Sequence, residues 1–260
     1  MIAFLLVSFL ASVIGAICGI GGGVIIKPVL DMLALESVAA INFLSGCTVL
    51  SMSSYSVGKS LVKKEKAVNM ATGTPLAVGA ALGGILGKEL FSFVKDSVSS
   101  PENLSAIQAV ALGIITVGTL IYTVNKSKIH THNVKNKAAC VLIGVALGVM
   151  SSFLGIGGGP INLVVLYFFF SMDTKTAASN SLYIIFFSQL ANLIASLVTG
   201  SVPEFNTFAL ILMICGGIGG GIAGRALNKK INNSTVEKLF IGLMSVIILI
   251  CVYNAVKNLI

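Results

Sequence analysis

Charged side chains are scarce in this chain: Asp, Glu, Lys and Arg make up 10% of its 260 residues, against about 25% in soluble domains. Too few charges remain to clothe a water-exposed surface, and 56% of the residues are hydrophobic, with a mean hydropathy of +1.00. The sequence reads as an integral membrane protein. Acids are scarcer still. None of the nine Asp and Glu residues lies deep in an apolar run. No acid–base pair is therefore expected at membrane depth, which argues against an enzyme and against proton coupling through a buried carboxylate. Histidine is confined to His130 and His132 in one basic loop, and the five cysteines (Cys18, Cys47, Cys140, Cys215, Cys251) sit in apolar segments without metal-ligand spacing. Neither a metal site nor a disulfide framework is expected. The start, MIAFLLVSFLASVIGAICGI, lacks a basic n-region and runs on into a glycine motif, which predicts no cleaved signal peptide.

Nucleotide signatures are absent as well, so no cofactor is expected. VGKS (57–60) has the ending of a phosphate-binding loop, but Ser53 stands where GxxxxGK needs its first glycine. The glycine runs have Val24 and Pro160 where GxGxxG needs its last. The net charge of +8 does not point to nucleic acid. The 17 basic residues fall in short clusters between apolar runs, where lipid headgroups and membrane orientation account for them.

What the chain has in abundance is long apolar sequence. A bilayer core about 30 Å thick takes about 20 residues of helix. On that ruler apolar blocks fall at 2–35, 38–57, 67–87, 104–124, 138–172, 177–199, 206–224 and 236–256. The first and fifth are interrupted by the same run, GIGGGVIIKPVL at 19–30 and GIGGGPINLVVL at 155–166. Glycine costs about 1 kcal/mol against alanine within a helix, so three in succession end one. Other stretches match too. AINFL (40–44) aligns with ASNSL (178–182), setting Asn42 opposite Asn180, and GGILGKEL (83–90) aligns with GGIAGRAL (220–227), setting Lys88 opposite Arg225. The expected organisation is two repeats, 1–125 and 138–260.

Loop charge then orients the halves. If every block crosses once, the basic residues divide nine to seven between the two sides, which is no bias. If 138–172 instead enters and returns, they divide thirteen to three, as the positive-inside rule requires. Repeat symmetry makes 2–35 a hairpin as well. The predicted fold is an all-α integral membrane protein of two inverted repeats. Each is a glycine-broken re-entrant hairpin (2–35, 138–172) followed by three transmembrane helices (38–57, 67–87, 104–124; 177–199, 206–224, 236–256). The pieces flanking the glycines are too short to span alone, 138–153 giving about 24 Å and 160–171 about 18 Å of helix. The N–H groups after Gly23 and Gly159 lack intrahelical partners, and inverted symmetry brings the two half-helix N-termini together near the midplane as an anion cradle.

The doubled glycine motif, each copy opening one half of a chain of this length, resembles the TauE/SafE family of sulfite exporters and related permeases, over essentially the whole chain. Gly19, Gly21, Gly22, Gly23 and Pro28 match the first motif, and Gly155, Gly157, Gly158 and Gly159 the second. Val164 stands where the first half has Pro28. The resemblance implies a multi-pass bacterial permease of the plasma membrane for a small sulfur-containing or organic anion.

Candidate substrate-binding residues are Gly21, Gly22, Gly23 and Val24 of the first motif and Gly157, Gly158 and Gly159 of the second, with Lys27, Asn42, Asn162 and Asn180. Lys27 is the one charged residue far inside an apolar block. It reads either as a counter-charge for an anion or as an anchor snorkelling to the interface. Asn162 reads as an uncharged donor to the anion or as a brace for the hairpin. Gln189 and Asn192 suit interhelical hydrogen bonds, and the glycines at 79–87 and 216–224 suit close helix packing. The leading expectation is a carrier moving sulfite, a sulfonate or another small anion by alternating access around the two hairpins. A channel-like facilitator and a membrane scaffold or enzyme without transport stand as alternatives. Expected partners are the small anion and the lipid bilayer, with no nucleic acid. The coupling ion is unknown, and a homo-oligomer stays open.

Overall fold

A computed structural model of the chain describes residues 1–62, 70–98 and 100–259. Among the described residues it contains ten α-helices: α1 (Ile2–Cys18), α2 (Gly23–Leu33), α3 (Val38–Val62), α4 (Met70–Ser97), α5 (Pro101–Asn125), α6 (Lys137–Phe153), α7 (Pro160–Phe170), α8 (Thr174–Val198), α9 (Thr207–Lys230) and α10 (Asn233–Leu259). Six of them, α3, α4, α5, α8, α9 and α10, are long and apolar enough to cross a membrane, so the protein is a multi-pass membrane protein. The others are shorter.

The glycine runs break the chain where expected. Gly19 ends α1 in the left-handed region at φ 77°, its N–H donating to the Gly15 carbonyl at 2.8 Å. At Gly158 φ is 129°, a conformation that side chains rarely tolerate. In both predicted hairpins the chain doubles back. Near the end of α10, Asn254 donates to the Pro28 carbonyl and Lys257 to that of Met32, and Phe4 packs with Leu30 and Ala209, so α2 returns to the end where α1 begins. The segment before α6 is tied to the end of α7 in the same way, His132 and Val134 donating N–H to the carbonyls of Phe168 and Phe169.

Small residues let the shorter helices pack closely. A methyl group on Gly79, Gly83 or Gly87 of α4 would stand within 2.4 Å of a carbonyl oxygen of α6, those of Val141, Val145 and Val149. A methyl group on Gly220 or Gly224 of α9 would likewise stand 2.4 or 2.3 Å from the carbonyl oxygen of Phe9 or Val13 in α1. These two glycine seams are parallel pairings, and each joins a helix of one half of the chain to a helix of the other. α3 and α8 cross antiparallel through the middle, Gly46 against Gln189 and Met52 against Leu182. α5 and α10 flank the bundle and hold α2 and α7 from outside.

Apolar run length understates several helices. α4 continues past the predicted end at 87 to Ser97, α3 past 57 to Val62 and α9 past 224 to Lys230. Lysine, arginine and glutamate are good helix formers, so a helix persists after its apolar stretch has ended. Lys63, Lys64 and Lys66, and the first residues of the helix predicted at 67–87, lie outside the described residues.

Candidate functional site

The two glycine loops touch. Gly159 donates its N–H to the Ile20 carbonyl at 3.1 Å. Gly23, opening α2, lies so close to the Ile156 carbonyl that a methyl group there would be 2.2 Å from its oxygen. Gly21 faces Gly157, and Val24, fully buried, reaches towards Gly159. Two branched side chains flank the contact. Val49 of α3 packs on Gly21, Gly23 and Gly157, and Ile185 of α8 packs on Gly21 and Gly158. Both sit near the midpoints of 25-residue helices. Two backbones and two aliphatic side chains thus close the middle of the bundle.

A cavity opens on either side of this closure. One, of about 260 Å³, lies at the C-terminal end of α8 and is lined by Asn42, Lys88, Lys95, Ser152, Asn192 and Ser196, with the rings of Phe43 and Phe91 beside them. The other, of about 310 Å³, lies at the N-terminal end of α8 and is lined by Ser56, Lys175, Thr176, Arg225, Asn228 and Lys229. Among the described residues neither lining includes an acid, so both cavities attract anions. Lys88 donates to Thr199 Oγ1 at 2.8 Å. Arg225 donates to the Ser56 carbonyl at 2.6 Å and to Ser60 Oγ at 2.8 Å. The matched pair Lys88 and Arg225 therefore serve cavities at opposite ends.

The asparagines divide by environment. Asn42 lies against Gly155 at the floor of the first cavity, both of its amide atoms buried and without a protein partner. Asn162 is 1% exposed, its Oδ1 unpartnered and its amide nitrogen close to Gly158. Buried polar atoms of this kind cost stability unless a ligand or water completes them. Asn180 is fully buried and donates to the Thr176 carbonyl at 2.8 Å, next to the second cavity without lining it. Gly22 packs on Ser12 and Ala11 of α1 rather than on the other loop.

Two expected features take a different form in the structure. Lys27 lines neither of these cavities. Its ammonium lies 2.6 Å from Asp31 Oδ2, the side chains 3% and 8% exposed, between α2 and the flanking helices. Asp31 stands close to the end of its apolar run, which hid a buried acid–base pair from the sequence reading. α7 brings fewer free N–H groups to the expected cradle than α2 does. α7 begins with Pro160, which has no N–H, and the Gly159 N–H is already given to Ile20.

Sequence reasoning missed Lys95, Ser152, Ser196, Lys175, Asn228 and Lys229 as cavity residues, and read Lys88 and Arg225 only for repeat matching and orientation. A signal existed. Lys88 and Lys95 are two helical turns apart and so share a face, provided the helix is allowed to run past 87.

The family described as sulfite exporter TauE/SafE matches residues 4–250. Over 262 aligned residues, 90% of this chain and 91% of the other, the chain is 21% identical to the "probable membrane transporter protein YunE" of Bacillus subtilis (strain 168). No solved structure matches it.

Proposed function

Because the chain belongs to the TauE/SafE sulfite exporter family, a family of membrane transporters rather than enzymes, we propose that it carries a small anion across the plasma membrane by alternating access between its two cationic cavities. The observation that carries this reading is the pair of cavities, lined by cations and by no acid among the described residues, approaching from opposite ends and stopped by the contact of the glycine loops. The substrate is sulfite, a sulfonate or another small sulfur-containing or organic anion. A cavity of about 260 Å³ admits such an anion together with several waters. In the first cavity the Lys88 ammonium supplies charge, and the amide of Asn42 and the hydroxyl of Ser152 supply neutral donors at its floor. Gly21, Gly22, Gly23 and Val24 with Gly157, Gly158, Gly159 and Asn162 form the barrier that the anion passes, and Asn180 braces the opposite mouth.

Residues 1–125 and 138–260 act as inverted repeats in this reading. The matched seams α1–α9 and α4–α6 support it, as does the appearance of Lys88 and Arg225 at opposite ends. The glycine seams make α1, α3 and α9 one rigid group and α4, α6 and α8 the other. Rocking of one group on the other, about the crossing of α3 and α8, opens one cavity as it closes the other.

Calorimetric titration tests the site. Sulfite, thiosulfate, sulfate, methanesulfonate and simple carboxylates are first ranked by the thermal shift they give the purified protein. A charge-assisted hydrogen bond is worth about 1.5–3 kcal/mol, so Lys88→Gln weakens binding of the best of them about 10- to 100-fold. Asn42→Ala weakens it about tenfold, the worth of roughly 1.4 kcal/mol. Unchanged affinity in both variants removes the anion from this cavity.

A further inference from the structure

The two cavities are lined from equivalent places in the two halves of the chain. A shift of 136 residues carries Val38–Val62 onto Thr174–Val198 and Gly19 onto Gly155, and one of 137 carries Gly87 onto Gly224. Under these shifts the contacts correspond. Asn42 lies against Gly155 as Ala178 lies against Gly19, so contact pairs Asn42 with Ala178 rather than with Asn180. A methyl group on Gly87 would stand 2.9 Å from the Ser152 Cβ, and one on Gly224 would stand 2.9 Å from that of Ala16. Lys88 of the first cavity and Arg225 of the second keep the charge.

Elsewhere the linings are exchanged, and the exchange has a direction. Nearest the glycine loops the first cavity presents the donors Asn42 and Ser152, where the second presents the methyl groups of Ala178 and Ala16. One helical turn further out the order reverses. Phe91 follows Gly87 by four residues and Asn228 follows Gly224 by four, about 6 Å along the axis. Ala39 likewise lies three residues outward of Asn42, and Lys175 three outward of Ala178. The outer level is therefore apolar in the first cavity, with Phe91 and Ala39, and polar in the second, with Asn228 and Lys175. Phe43 adds to the apolar wall by leaning on Phe205, ring centroids 5.2 Å apart, beside Val202 and Pro203 at the mouth. Its equivalent in the second cavity is Ser179. Lys95 stands one more turn beyond Phe91 and meets an anion on entry.

We propose that the substrate is a small amphipathic anion, an acidic headgroup on a short apolar tail, and that it crosses without turning over, an inference that rests on the transport reading above. In the first cavity the headgroup accepts from Asn42 and Ser152 beside Lys88, against the closure, and the tail lies outward on Phe91 and Phe43. In the second cavity the tail lies against the closure, on Ala178, Ala16 and Leu182, and the headgroup lies outward at Lys175 and Lys229. The headgroup points to the same side of the membrane in both. Each end of the anion thus meets its own kind in either cavity, and no charged group is turned onto an apolar wall. Sulfate has no tail to cover those walls and gains nothing from them.

Calorimetric titration of methane-, ethane-, propane- and butanesulfonate into the purified protein tests the tail site. Each added methylene is expected to tighten binding about fourfold. Phe91→Asn removes one of the two aromatic walls and lowers that gain to about twofold, whereas Lys88→Gln weakens all four anions alike. Affinity that does not rise from methane- to butanesulfonate in the wild type overturns the proposal. Orientation is read with an alkanesulfonate carrying a diazirine at the end of its tail, photolysed on the protein and mapped by peptide mass spectrometry, with excess butanesulfonate as competitor. Competed adducts are expected on Phe43 and Phe91 and on Ala16, Ala178 and Leu182. Competed adducts on Ser152, Lys175 or Lys229 instead, or none at all, overturn the proposal. If sulfite binds and the tailed sulfonates do not, this proposal falls alone; if no anion binds, the transport reading falls with it.

Discussion

Replacing Gly23 by alanine probes the contact that closes the middle of the bundle. The backbone at Gly23 is helical, so alanine suits its conformation and would by itself stabilise by about 0.4–1 kcal/mol. Its methyl group, however, would fall 2.2 Å from the Ile156 oxygen, 2.6 Å from the carbonyl carbon and 3.0 Å from Val49. Carbon and oxygen rest at about 3.3 Å or more, so the second loop must retreat by about 1 Å. The obstacle is backbone, and no rotamer change relieves it. Overpacking of this kind costs about 1–3 kcal/mol, which outweighs the conformational gain, and the retreat stretches the hydrogen bond from Gly159 to Ile20. Melting should fall by about 2–4 °C for each kcal/mol lost. The chain has no tryptophan, but a fluorogenic maleimide reports unfolding through the buried thiols of Cys18, Cys140 and Cys251. Gly242→Ala is the control, since nothing lies within 4 Å of a methyl group there. It should melt at or above the wild-type temperature. A Gly23→Ala protein that melts with the control and moves methanesulfonate at the wild-type rate would show that the two loops do not touch.

Sidedness is open to cysteine labelling in a cysteine-free background. Positions Asn133 and Asn232 should react only from the cytoplasm and Val202 only from outside, and labelling of 133 and 202 from one side would sink the inverted arrangement. Asp173→Ala should cost about 0.5–2 kcal/mol through loss of the α8 cap, in which its carboxylate accepts from the N–H groups of Lys175 and Thr176. Partial burial pushes the Asp173 carboxyl up, but hydrogen bonds from Thr176, Lys175 and Asn233 outweigh it and hold the group below its ordinary 3.8. Its stabilisation is therefore complete above that value and is lost as the pH falls through the lower folded one. The melting difference between Asp173→Ala and the wild type should be full at pH 7 and shrink at pH 3; a difference that does not change with pH refutes the assignment.

The doubled glycine run foretold both helix breaks because a backbone demand of that kind leaves its mark in a few adjacent letters. The contact between the loops was foreseen only as symmetry, since Gly159 to Ile20 joins residues far apart in the chain. The cationic cavities were hidden by the choice of ruler. Counting apolar residues cut α4 before Lys95 and α9 before Lys229, and so assigned to loops the residues that line the mouths. The i,i+4 spacing of Lys27 and Asp31 is legible in the letters. What the letters do not carry is that α5 and α10 cover that face of α2 and turn an ordinary helix pair into a buried one.

The exchange of arms between the halves has a consequence for how the protein is made. α6 emerges to find the wall of α4 already synthesised. α1 has no such luck: Ser8 rests on Gly216, and Val13 on Gly224, about 200 residues later in the chain. At about 5–20 residues per second, the first hairpin waits roughly 10–40 s beside the ribosome's exit with its serines and loop carbonyls uncovered in lipid. Until α9 is made that face of α1 has no partner, and a chain truncated before α9 leaves it uncovered. Bulkier residues at Gly216, Gly220 or Gly224 are then expected to lower the yield of folded protein by denying α1 its partner, with no change in the cavities themselves.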